Sequence, residues 1–191
     1  MLNISMRTTV VLIILCFASF SVRSQTGTPP KMPADVMRDI RLKVLSTPPS
    51  KMNLAPTQEY PHVEAIIMDW PLQDTVMTVM ASREGDGSIY TTGSFGLLGG
   101  NKYDNVRAAA KSFVKLSEKY YSDAVPTRDF SYPQSGHVRF YLICYDGVRL
   151  IDWDVASPAS AKGKYSDLFA EGRKEIAALQ QIAQSQPKQT P

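Results

Sequence analysis

Hydrophobic positions change period several times along this chain, and each change marks an element. From Pro33, "PADVMRDIRLKVL" places Val36, Met37, Ile40 and Val44 on one helical face, with Pro33 suited to a first turn. A stretch with four prolines, "STPPSKMNLAPTQEYP", then interrupts the pattern. Three short β-rich runs follow, "HVEAIIMDW", "DTVMTVMAS" and "SIYTT". "PLQ" and "REGDG" between them read as turns, so the three runs predict an antiparallel meander. Val106, Ala109, Ala110, Phe113, Leu116 and Tyr120 return to helical spacing, with Asn101 as N-cap and Asp104 three residues on. "DAVPTRDFSYPQSG" breaks that helix.

The clearest element is "HVRFYLICYDGVRLIDWDV". Asp146-Gly147 between apolar runs is a strong hairpin signal, because a type I′ turn needs positive φ at both central residues. A turn there pairs Cys144 with Arg149, Leu142 with Ile151, Phe140 with Trp153 and Val138 with Val155 on an apolar face. The opposite face pairs Ile143 with Leu150, Tyr141 with Asp152 and Arg139 with Asp154. Last, Tyr165, Leu168, Phe169, Ile176, Leu179 and Ile182 give a C-terminal amphipathic helix with Gly172 inside it. The order α-βββ-α-ββ-α predicts an α+β fold: a meander plus a hairpin in one antiparallel sheet, with helices packed on one face. As a topological guess it is roadblock-, longin- or profilin-like, and such likeness carries no function.

The first 24 residues change the picture of charge and compartment. Arg7 precedes the unbroken apolar run from Val10 to Phe17, and Val22 and Ser24 are placed for cleavage before Gln25. That is the layout of a secretory signal peptide, and the run is too short for a membrane span. The expected organisation is a signal over 1–24, an N-terminal helix and Pro-rich linker over 25–61, one α+β domain over 62–184 and a polar tail over 185–191. The product is then secreted or periplasmic, unless the leader is retained as an anchor. Arg7 and Arg23 leave with the leader, so 21 basic against 18 acidic residues becomes 19 against 18, a net charge of +1. Such a balance gives no argument for nucleic acid. Cys16 leaves too, so Cys144 stands alone and no internal disulfide can form.

Candidate chemistry is sparse. "GSFGLLGG", residues 93–100, has the strand-loop-helix context of a phosphate cradle but lacks the Gly-Lys-Ser/Thr ending, and Phe95, Leu97 and Leu98 are apolar where such loops are small or polar. The glycines either permit a compact turn or present Phe95, Gly96, Leu97, Leu98, Gly99 and Gly100 to a protein partner or a second copy. Arg139, Tyr141, Asp152 and Asp154 share the polar hairpin face, where two acids could bind a small ligand or divide acid/base work; a plain cross-strand ion pair explains them as well. His137 and Cys144 leave opposite faces of one strand, so they form no dyad, and Cys144 reads as a buried small hydrophobe. Asp69 and Asp74 flank the first turn, where acids are routine. Arg107, Lys111, Lys115 and Lys119 stripe one helix, which suits an anionic surface or merely solvent. No grouping of Cys or His suggests a metal, no cofactor is implied, and no catalytic set is found.

"NLAPT", "MDWP", "SIYTTGSFGLLGG" with "VRAAAKSFV", "VRFYLICYDGVRLID" and "KYSDLFAEG" together resemble a family of small uncharacterised bacterial proteins, over roughly residues 54–182. The resemblance implies a self-standing α+β core and no activity or site residue. The chain is therefore expected to be an exported binding module, with ligand binding or hydrolysis at the Asp152/Asp154 face, and anionic-surface binding by the basic stripe, as alternatives.

Overall fold

The computed structural model describes residues 34–48, 51, 54–93, 96–155 and 163–185. The leader, the lead-in through Pro33, Phe95 and the polar tail from 186 onward lie outside the described residues. The elements run α1 (Ala34–Ser46), β1 (Val63–Leu72), β2 (Thr75–Ser82), β3 (Gly87–Thr91), β4 (Gly96–Leu97), α2 (Asp104–Ser117), β5 (Val125–Pro126), β6 (His137–Cys144), β7 (Gly147–Asp154) and α3 (Ser166–Ser185). All strands join one antiparallel sheet in the order β4-β3-β2-β1-β6-β7-β5. The meander and the hairpin thus meet through β1 and β6 at its centre, and the fold is α+β. No described helix is long and apolar enough to cross a membrane.

Alternation along β1 sorts the core into two layers. Ile66 and Met68 pack with Val79, Ile89, Phe140, Leu142, Phe113 and Leu179 under α2 and α3. Ala65 and Ile67 point the other way and pack with Met80, Tyr141, Ile143 and Leu45 under α1. The helices therefore do not all share one face: α2 and α3 cover one, and α1 covers the other. Strands buried on both sides read as near-continuous hydrophobic runs, and β1 shows burial from Val63 to Asp69. Within α1 the inward residues are Met37, Arg41 and Leu45, while Val36 points outward. A buried arginine sits at the centre of that face, and apolar periodicity cannot see it.

Three boundaries differ from the sequence expectation. β1 continues through Pro71 and Leu72, so the first turn is Gln73–Asp74, with Gln73 at φ 51°. Asn101 does not cap α2; a 3-10 turn at Gly100–Lys102 intervenes and the helix starts after Tyr103. Val125–Pro126, inside the helix-breaking stretch, forms an edge strand on Leu150 and Arg149.

The hairpin register is also displaced. Cys144 pairs with Gly147, Leu142 with Arg149, Phe140 with Ile151, Val138 with Trp153, Tyr141 with Leu150, Arg139 with Asp152 and His137 with Asp154. Only Gly147 has positive φ there, at 133°, so the turn is Tyr145–Asp146 rather than Asp146–Gly147. Partners move by two residues, which leaves every side chain on its original face; a one-residue slip would have inverted both faces.

Candidate functional site

The glycine-rich stretch forms the terminal strand of the sheet and the landing into α2. Leu97 pairs with Ile89 and Gly96 with Tyr90. A Cβ on Gly96 would lie 2.9 Å from Met37 Cε, so this glycine lets β4 approach α1. A Cβ on Gly100 would lie 2.7 Å from Val106 and 2.9 Å from Leu179, and Gly99 adopts φ 74°. Two of the loop glycines are thus spacing devices and a third supplies left-handed backbone. Leu97 packs against the larger core, whereas Leu98 turns outward, 38% exposed. The geometry is unlike a phosphate cradle: a 3-10 turn and Tyr103 separate the loop from α2, and Asp104 places a carboxylate in its first turn.

On the polar hairpin face, Arg139, Tyr141 and Asp152 converge. Arg139 Nε donates to Asp152 Oδ2 at 2.9 Å, and His137 Nδ1 lies 2.8 Å from Asp152 Oδ1. Arg139 Nη1 donates to Asp129 Oδ2 at 3.1 Å, to Ser131 Oγ at 2.7 Å and to the Ser131 carbonyl at 3.1 Å. Tyr141 Oη donates to the Ser131 carbonyl at 2.6 Å. Bonds from Ser131, with help from Arg139, hold the Asp129 carboxyl below its ordinary range. Asp154 stands apart, exposed and paired in register with His137. His137, Asp129 and Ser131 were not foreseen in this cluster, because two of them return to the sheet from an irregular segment whose path no periodicity encodes. Asp152 also borders a shallow depression with Asp123, Thr127, Leu150 and Tyr165 at the β5–β7 edge.

Asp69 is not a turn residue. It is fully buried with Arg41, whose Nε donates to Asp69 Oδ2 at 2.9 Å and whose Nη2 donates to the same oxygen. Thr78 Oγ1 donates to Asp69 Oδ1 at 2.6 Å, and Arg41 Nη1 donates to the Phe130 carbonyl at 2.7 Å. The guanidinium also lies over the Tyr132 ring, 4.3 Å from its centroid. Burial pushes the Asp69 carboxyl up, against the lowering pull of the Arg41 guanidinium and of the hydrogen bonds from Arg41 and Thr78. This network fastens α1 and the 130–132 segment to the sheet.

Three residues of the basic stripe are engaged within the chain. Arg107 pairs with Asp104, Lys115 donates to the Glu59 carbonyl, and Lys119 pairs with Asp167; Lys111 is exposed. His62 stacks on Tyr121 with centroids 4.2 Å apart and meets Glu118. Among the described residues no group of three or more His, Cys, Asp or Glu could hold a metal ion. Cys144 is 1% exposed, and burial pushes its thiol up to about 12. Its thiol is therefore expected to stay unmodified by a chromogenic disulfide reagent until denaturant is added; rapid labelling of the folded protein would contradict this packing.

The chain matches no family model, no curated protein and no solved structure, so only its own residues speak to its function.

Proposed function

We propose that this chain is an exported, non-catalytic binding module that meets a protein partner or a second copy at the β4 edge of its sheet. The observation that carries the reading is the outward Leu98, 38% exposed directly after the terminal strand, in a loop whose glycines hold it close to the core. An exposed large aliphatic on a sheet edge is a natural contact point. The stretch from Gly87 to Asn101 also carries no charge that would repel an approaching surface.

The test compares the wild-type chain with Leu98→Asp, in sedimentation for self-association and in capture from native envelope extract read by mass spectrometry. One species, either the dimer or a defined partner, is expected with the wild type and lost with the variant, while thermal stability is unchanged. Equal behaviour of the two proteins would sink the proposal.

A second reading, small-ligand binding or hydrolysis at the hairpin face, is favoured by the contact of His137 Nδ1 with Asp152 beside a depression that Asp152 itself borders. A carboxylate that orients an imidazole in this way is a common general-base arrangement. An Asp152→Asn, Asp154→Asn chain indistinguishable from wild type in ligand-screen chemical shifts would remove it.

A further inference from the structure

We propose that Glu175 is a proton-operated latch: protonated, it seals α3 against the start of β3 and the glycine-rich landing into α2, and its ionisation releases that corner. Glu175 is fully buried on α3, and neither carboxyl oxygen has a hydrogen-bond partner among the described residues. Its carboxyl lies flush on the Gly87 backbone, so close that a Cβ there would fall 1.9 Å from Oε1 and 2.6 Å from Val106 Cγ1. The same Val106 methyl, with Leu179 one turn further along α3, receives Gly100. One acid therefore sits where α3, β3, α2 and the end of the loop meet, in a space that exists because residue 87 is glycine.

Among the described residues no charge compensates it. Asp86, next to Gly87, is bonded to Ser82 and Asn101. Arg107, next to Val106, is turned to Asp104 and the Asn101 carbonyl. On α3 itself, Glu171 and Lys174 pair with each other and Arg173 is exposed. Burial alone pushes the Glu175 carboxyl up to about 8. A carboxyl whose folded pKa stands above its solvated value of 4.5 favours the closed form at low pH. That preference shrinks as pH rises and is exhausted above the folded pKa. An opening that solvates this carboxyl should thus become about tenfold more favourable per pH unit across that interval.

Any effect of the latch on partner contact rests on the reading of the β4 edge as the contact surface; the latch itself does not. Amide hydrogen exchange on the full chain between pH 5 and 9 tests it, with rates expressed as protection factors. In the wild type, protection over residues 87–93 and 96–103 is expected to fall about tenfold per pH unit up to pH 8 and then level off. In Glu175→Gln this Glu175-dependent fall is lost, and also in Glu175→Leu, which keeps the experiment decisive if either variant folds poorly. Glu64, pushed up to about 7 by burial despite Arg83, titrates in all three proteins and cancels. Superimposable profiles, or an equal loss of protection in α1 and the β6–β7 hairpin, would overturn the latch. A pH-dependent loop whose opening leaves capture unchanged would instead uphold the latch and count against the β4 contact surface.

Discussion

Asp69→Ala is expected to destabilise the protein by about 3–5 kcal/mol, the cost of leaving one member of a buried ion pair behind. Arg41 is 1% exposed and has no route to water while α1 remains seated. Without Asp69 its guanidinium retains the Phe130 carbonyl and the faces of Tyr132 and Tyr141, none of which carries a countercharge. Thr78 loses its acceptor at the same time. The damage should concentrate in α1, because Arg41 is the polar tether between that helix and the sheet. Urea unfolding with a constant m value measures the loss. The double replacement Arg41→Met, Asp69→Leu should recover most of it, since apolar residues of similar volume leave no orphaned charge. A cost below about 1 kcal/mol for the single change would mean that the pair is not buried as described.

Phe113→Ala is expected to cost about 3–5 kcal/mol, the usual range for removing a buried phenyl ring. Phe113 is fully buried where α2, α3 and the sheet converge. Its neighbour Gly172 sharpens the prediction. In an exposed helix interior, Gly→Ala would stabilise by about 1 kcal/mol. Here a new Cβ would lie 2.7 Å from Met68 Sδ and 3.1 Å from Phe113 Cζ. Gly172→Ala should therefore destabilise, by about 1–3 kcal/mol as an overpacked site. In the Phe113→Ala background Met68 gains room to move, so the cost of Gly172→Ala should shrink. The coupling between the two changes, read from a double-mutant cycle in urea, is the check. Strict additivity would show that ring, thioether and glycine do not share one contact.

How far the sequence was legible follows from which physical signal each part carries. The α2 face, the C-terminal amphipathic helix and the apolar face of the hairpin were visible because burial on one side imposes a period on the side chains. The hairpin register was not, since shifting the partners by two residues preserves every face and only the φ of Gly147 distinguishes the alternatives. Of the polar face, Arg139, Tyr141 and Asp152 were identifiable by alternation alone. Asp129 and Ser131 reach them from an irregular segment, and His137 joins through a side-chain rotamer.

Local patterning thus specified the helices and the principal strands, their antiparallel α+β class, and the inert burial of Cys144. Those properties depend on neighbours a few residues away, or on the partition of apolar side chains from water. The seating of α1 on the second face, the pairing of Arg41 with Asp69 across 28 residues, and the burial against Gly87 of Glu175, unpartnered among the described residues, had no counterpart in any local pattern. A buried charge in a sequence looks like a surface charge; what separates them is the presence of a partner, or its absence, and that is settled only when distant segments pack together.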